Sequence, residues 1–353
     1  MVYMACGYSG TGSSALVHLL SEYSNCTTGK LGKYEHILFY TPNGLFDLED
    51  RLLRNNSIHG ADGAISEFLR AMKRLNDNDF VWFGSLKRLF GDRFLKIVEE
   101  FVDELIDYKI PGYWSYDLQL QPSVLRQIKH TAKRILGKDV RRFGCKMTQT
   151  GDGYILYSFV TPERFYRAAR KFVAAYIAMV SDHSDQCFIC DQLFQPHHLN
   201  RMRNYFYPGE AKAIVVDRDV RDMFVLGKYV WPSMGMPMAF PKKPAEFAHF
   251  YQSLISSAQV VQTEDILPIH FEDLIYKYDE TVEKIEAFAG CSIGTHDGAR
   301  TVFVPENSIK NTQNFRIQPE WVEEVKIMEE MAPELIYPFP FEMNPMLKET
   351  TDP

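Results

Sequence analysis

No stretch of the sequence approaches the ~18 consecutive apolar residues of a membrane-spanning helix, so no helical span is expected. Cysteine and tryptophan are scarce as well, six and four among 353 residues. Cysteines scattered this thinly do not form the dense framework of a small secreted domain, and free thiols are expected. Positive charge is in deficit: 39 Lys and Arg against 46 Asp and Glu leave a net charge of -7. That balance argues against non-specific binding to nucleic acid and requires any anion site to be local. Internal repeats and low-complexity tracts are missing too, and strand-like MVYMAC at residues 1–6 leaves no room for a signal peptide, which predicts a cytoplasmic location.

What is present is an ordinary globular composition, 46% hydrophobic and 24% charged, ample for a large core. Short apolar runs alternate with longer helical periods, which predicts an α/β fold with a parallel sheet flanked by helices. The expected strands are 2–6, 143–147, 186–190, 213–216 and 267–270. Helical periodicity covers 13–23, 45–54, 64–75, 86–108, 123–136, 162–180, 220–229, 244–262 and 272–289. With no clear linker, residues 1–353 read as a single domain in which 41–140 form a helical insertion on the acceptor side. Within it Tyr108, Tyr113, Trp114 and Tyr116 sit on a Pro- and Gly-containing loop, either as a stacking surface or as anchors to the core.

The most informative stretch is CGYSGTGSSALVHLL, residues 6–20. Gly7, Gly10 and Gly12, interleaved with Tyr8, Ser9 and Thr11, allow backbone N–H groups to converge on an anion at the start of a helix. In the nucleotide-binding pattern G-x-x-x-x-G-K-[ST] the second glycine precedes a lysine, whereas Gly12 here precedes Ser13 and Ser14. A routine ATPase or GTPase is therefore disfavoured. A second stretch, AIVVDRDVRDMFVLGKY at 213–229, puts Arg218 at the carboxyl end of a buried strand, where ligands sit in parallel sheets. A guanidinium there can hold phosphate through two parallel hydrogen bonds, or Arg218 and Arg221 can pair with Asp217, Asp219 and Asp222.

Together these segments resemble the sulfotransferases that use 3'-phosphoadenosine 5'-phosphosulfate (PAPS). VVDRDVRDMFV resembles that family's R-[DN]-P-R-D segment, LPIHFEDLIYKYDETVEKIEAFAG its R/H-[YF]-E-D-L helix entry, and VPENSIKNTQNFR its final loop over the adenosine 3'-phosphate. The resemblance implies a P-loop-like sulfotransferase fold and a metal-free loop in which glycine amides, Ser13 and Ser14 hold the 5'-phosphosulfate. It also implies Arg218 on the 3'-phosphate. The family's serine eight positions after that arginine is Leu226 here, which would pass part of the task to Lys228, Ser308, Lys310, Asn311 or Arg316. Neither Tyr8 nor Gly10 supplies the family's usual cation beside the loop, leaving Lys33 or Lys146 for that charge.

GKLGKYEHILFY, residues 29–40, resembles the K-E-x-H-x-F segment of carbohydrate sulfotransferases, with Tyr34 as an extra residue. A general base for an acceptor hydroxyl would then be Glu35, with His36 as an alternative and Asp191, within CFICDQLFQPHH, as the runner-up. Cys187, Cys190, His197 and His198 in that last segment match structural zinc spacing poorly, and residues three apart on a strand face opposite ways, so no metal is expected. The expected acceptor is a saccharide, glycan or lipid-linked small molecule, and the product of the donor is adenosine 3',5'-bisphosphate. The rival readings are a magnesium-dependent P-loop kinase and an inactive nucleotide-binding module.

Overall fold

The computed structural model describes residues 1–32, 34–78, 85–112, 114, 154–181, 186–236 and 239–342. Its strands are β1 (Val2–Gly7), β2 (Cys26–Thr27), β3 (Tyr108–Pro111), β4 (Tyr154–Tyr157), β5 (Cys187–Asp191), β6 (Ala211–Asp217) and β7 (Ile266–His270). The chain divides into two compact units, Met1–His36 with Ser181–Pro353, and Ile37–Val180.

The first unit is built on a five-stranded parallel sheet in the order β2-β5-β1-β6-β7. β1 and β5 are buried at every position. A parallel strand is covered on both faces, so an uninterrupted apolar run, not an alternating one, marks it in the sequence. On one face Tyr3, Ala5, Ile189, Ile214, Val216, Leu267 and Ile269 pack with Leu16 and Leu20 of helix α1 (Ser13–Leu20) and with Val282 and Ile285 of the helix Tyr278–Ala289. A second core joins Met223 and Phe224 to Phe247, Tyr251, Phe315 and Met328. Each Val, Leu, Ile, Phe or Met side chain among them contributes ~1.5–3 kcal/mol when fully buried. From β1 the chain crosses toward β2 on one side, whereas from β6 it crosses to β7 on the other. The carboxyl ends of β1 and β6 therefore flank a switch point, the place where open α/β sheets leave a crevice.

The turn after β6 is set by charge. Asp219 caps the helix Val220–Val225, accepting from the backbone N–H of Arg221 (2.9 Å) and Asp222 (3.4 Å). It also accepts from the Arg221 guanidinium (Nη2 2.8 Å, Nε 3.1 Å) and from Tyr337 N–H at 2.8 Å. Arg221 reaches on to Glu329 at 2.6 Å. For Arg221 the ion-pair expectation therefore holds. The helical period expected over 220–229 continues past Val225 as a wider turn, Leu226–Val230, and places Lys228 against Glu324.

In the second unit the helices Ile58–Asp77, Arg93–Leu105 and Pro162–Ser181 are the main elements, beside the antiparallel pair β3–β4. The single period expected over 86–108 is split into Leu86–Phe90 and Arg93–Leu105, because Gly91 takes φ +60. Trp114 donates from Nε1 to Asp62 at 2.8 Å, and Asp62 accepts from Leu156 N–H at 3.0 Å, so this aromatic anchors its loop. The strand expected at 143–147, the helix at 123–136, Lys33, Lys146, Tyr113 and Tyr116 lie outside the described residues. No described helix is long and apolar enough to cross a membrane.

Removing the carboxylate of Asp219 leaves the Arg221 charge buried with one partner fewer and the helix uncapped. Asp219→Ala is expected to lose ~3–5 kcal/mol of stability in urea unfolding. A loss below ~1 kcal/mol would show that the turn after β6 does not depend on this carboxylate.

Candidate functional site

The glycine loop leaves β1 at its carboxyl end and runs directly into α1. Ser9, Gly10 and Gly12 have φ of +63, +89 and +109. The loop is pinned from within: Tyr8 N–H donates to Thr11 Oγ1 at 3.0 Å, and Thr11 Oγ1 donates to Val216 O of β6 at 2.6 Å. A Cβ on Gly7 would stand 2.6 Å from that same Thr11 oxygen. Side chains press on it from outside as well. A Cβ on Gly10 would come within 2.4 Å of the Trp231 ring, and one on Gly12 within 2.4 Å of Phe271 Cδ2. A side chain at Gly12 thus strains the fold itself, and a Gly12→Val replacement does not isolate anion binding.

The sequence expectation that Gly7 offers its amide to an anion needs correction. Gly7 N–H donates to Gln192 Oε1 at 3.4 Å, and the Gln192 amide donates back to Gly7 O at 3.4 Å and to Ser13 Oγ at 3.3 Å. Among the described residues nothing accepts from the amides of Gly10, Thr11, Gly12 or Ser13. These four, at the N-terminus of α1, are the donors the loop leaves available to an anion.

Arg218 reaches the loop from the neighbouring strand end. It is 6% exposed, donates from Nη1 to Gly10 O at 3.4 Å and from Nη2 to Asn311 O, and lies 4.7 Å over the Phe271 ring. Its Nε–H is buried without an acceptor. None of its side-chain donors goes to a carboxylate, so the ion-pair expectation fails for Arg218, and the guanidinium ties the glycine loop to the Asn311 segment instead. That segment is held by Asp222, which accepts from Gln313 N–H at 2.8 Å and Phe315 N–H at 3.4 Å. Lys310 and Asn311 are exposed, whereas Arg316 is half-buried over the Phe315 ring with an unpartnered Nε–H. Leu226 is buried in the turn beyond the helix, and Lys228 is committed to Glu324. The H-F-E-D-L segment works structurally here: Glu272, fully buried, accepts from Asp219 N–H at 3.0 Å.

On the other side of β1 two carboxylates meet. Glu35 bridges in parallel with Asp191 at the end of β5, and His36 N–H donates to Asp191 O at 2.9 Å. Ser14 Oγ donates to Asp191 Oδ2 at 3.3 Å, while Asp191 Oδ1 is buried with no hydrogen-bond partner. Burial, and then the neighbouring Asp191, push the Glu35 carboxyl up to about 7. Burial raises Asp191 to about 6 against the opposing Ser13 and Ser14 hydroxyls. A carboxyl near 7 beside an anion loop suits a general base. His36 differs: it is enclosed with its ring edge-on to Phe188 at 5.6 Å, and burial lowers it to about 3, so it is neutral and sealed from solvent.

Cys187 and Cys190 are buried on β5, donating to Ser292 O (3.0 Å) and Tyr3 O (3.6 Å), and His197 Nε2 pairs with Leu254 O and Ser257 Oγ. Among the described residues no group of three or more His, Cys, Asp and Glu side chains is placed to hold a metal. Sequence reasoning missed Gln192, Trp231 and Phe271. Only Gln192 left a signal, its place directly after a strand-end carboxylate. No protein-family model matches the chain, and no curated protein matches its sequence.

The raised carboxyls fix the sign of a pH effect. Between the unfolded value of ~4.3 for a glutamate and the folded value of about 7, Glu35 binds more protons in the native state. Its contribution is present below pH ~4 and lost as pH rises through 7, because stability falls wherever the folded state binds the extra proton. Glu35→Gln is therefore expected to melt closer to wild type at pH 4 and to gain on it toward pH 8. Parallel melting curves across that range would place Glu35 in an ordinary solvated setting.

Proposed function

We propose that the chain is a sulfotransferase of P-loop-like fold that moves a sulfuryl group from PAPS to a hydroxyl or amine of a saccharide, glycan or lipid-linked acceptor. One observation carries this reading: a glycine loop without a lysine, bonded to a strand-end arginine on one side and facing a carboxyl pair on the other. The donor supplies an activated sulfuryl group with adenosine 3',5'-bisphosphate as its leaving group. The free amides of Gly10, Thr11, Gly12 and Ser13 suit its 5'-phosphosulfate, and the unpartnered Nε–H of Arg218 suits an additional phosphate. Lys310, Asn311 and Arg316 belong to the segment that Arg218 holds and would complete that phosphate site. Glu35 takes the acceptor proton, with burial and then Asp191 keeping its carboxyl high enough to do so near neutral pH.

A second reading rests on the Ser14–Asp191 bond. A loop serine and a strand-end aspartate are the pair that holds magnesium in nucleoside triphosphate enzymes, which would make the chain a phosphotransferase. The two readings separate on ligand and metal.

Adenosine 3',5'-bisphosphate is expected to raise the melting temperature in the presence of EDTA, with ATP and magnesium giving no comparable shift. The opposite result selects the phosphotransferase, and no response to either leaves neither standing. Arg218→Ala should weaken the bisphosphate ~10- to 100-fold more than adenosine 5'-phosphate, the equivalent of one lost charge-assisted bond. Equal losses for the two ligands would remove Arg218 from the 3'-phosphate.

With PAPS and a panel of hydroxyl and amine acceptors, Glu35→Gln is expected to bind the bisphosphate normally and to lose ~100- to 10,000-fold in turnover. Turnover retained in this variant but lost in Asp191→Asn would transfer the base role to Asp191.

A further inference from the structure

Gln192 follows Asp191 at the end of β5, is 6% exposed, and holds φ +55, a left-handed backbone conformation uncommon for a residue with a side chain. Its backbone N–H is fixed to Ala5 O of β1 at 2.8 Å. From that position its amide grips both peptide groups of Gly7 and donates to Ser13 Oγ. A hydroxyl oxygen that accepts from an amide turns its own proton elsewhere, and for Ser13 the acceptors in reach are Asp191, whose carboxyl it helps to lower, and an anion on the loop, which competes with that carboxyl. The proton of Ser14 is already directed to Asp191 Oδ2.

We propose that Gln192 is a positioning residue: by donating to Ser13 Oγ and clamping Gly7, it makes the Ser13 hydroxyl a donor toward an anion held on the glycine loop. Ser13, not Ser14, is then the hydroxyl that contacts the anion. This rests on the loop being an anion site and extends the donor reading to a residue that lies outside the loop. The neutrality of the side chain is essential. A glutamate there would accept from Ser13, reversing the direction of that bond, and would add negative charge beside the loop.

The test is a double-mutant cycle on the intact chain, titrated with adenosine 3',5'-bisphosphate and, separately, with inorganic phosphate. Gln192→Glu and Ser13→Ala should each weaken binding ~5- to 10-fold or more, the scale of a lost hydrogen bond. In the Ser13→Ala background the change at Gln192 should cost clearly less, because the hydroxyl it orients is gone. Ser14→Ala should leave the effect of Gln192→Glu at full size. A merely structural role for Gln192 predicts additive losses in every background, and additivity overturns the proposal. Gln192→Gly, which suits φ +55, provides a second variant should the glutamate fail to fold. If wild type binds phosphate but not the bisphosphate, the PAPS reading falls while the phosphate cycle still decides the role of Gln192. Binding of neither ligand overturns both.

Discussion

The closeness of approach around the loop between Gly7 and Ser13 is the constraint on which the rest of the site depends. Thr11 ties it to β6, Gln192 clamps its first residue from β5, and Trp231 and Phe271 occupy the space that side chains at positions 10 and 12 would need. Four separate segments thus converge on the seven residues from Gly7 to Ser13. Such over-determination keeps Ser9 in a left-handed conformation and leaves the amides at the start of α1 without an acceptor among the described residues.

Charge is distributed unevenly about that loop. Toward β6 the carboxylates Asp219, Asp222 and Glu272 surround Arg218 and Arg221, and their oxygens are used mainly to fix backbone N–H groups of the turn and of the C-terminal segment. Arg221 is consumed in this framework through Asp219 and Glu329. Arg218 instead bonds carbonyls and retains an unused donor. Toward β5 the described residues hold two carboxyls, Glu35 and Asp191, whose burial keeps protons on them longer than in water. In the proposed reading one side of β1 binds an anion while the other exchanges a proton. That division underlies the proposed transfer, in which Arg218 and the loop amides meet the anion without a loop lysine.

The order of the sheet explains why the two sides meet. β1 lies between β5 and β6, so Asp191, the glycine loop and Arg218 stand at three adjacent carboxyl ends. Glu35 joins them because its backbone continues the bridge alongside β5 beyond the short strand β2. None of these neighbours is near another in sequence. Residues 7, 191 and 218 are brought together by strand pairing alone.

By itself the sequence determined the α/β class, four of the five strands of the central sheet to within a few residues, and the loop at the head of α1. Uninterrupted apolar runs and glycines at close spacing are local signals, and local signals survive in a linear reading. It also singled out Arg218 from its strand end, where a parallel sheet exposes chemistry, and Glu35 and Asp191 from the resemblance of their segments to those of sulfotransferases. It did not reveal β2, whose two residues carry no period, or the split at Gly91. The roles were decided only by tertiary structure. Whether an arginine pairs with acids or carbonyls depends on what packs against it, so Arg218 and Arg221, three residues apart, have different fates. Whether a histidine titrates depends on enclosure, and His36 is closed off against Phe188. The partners of Gly7 lie 185 residues away in Gln192, a distance over which composition, period and motif carry no information.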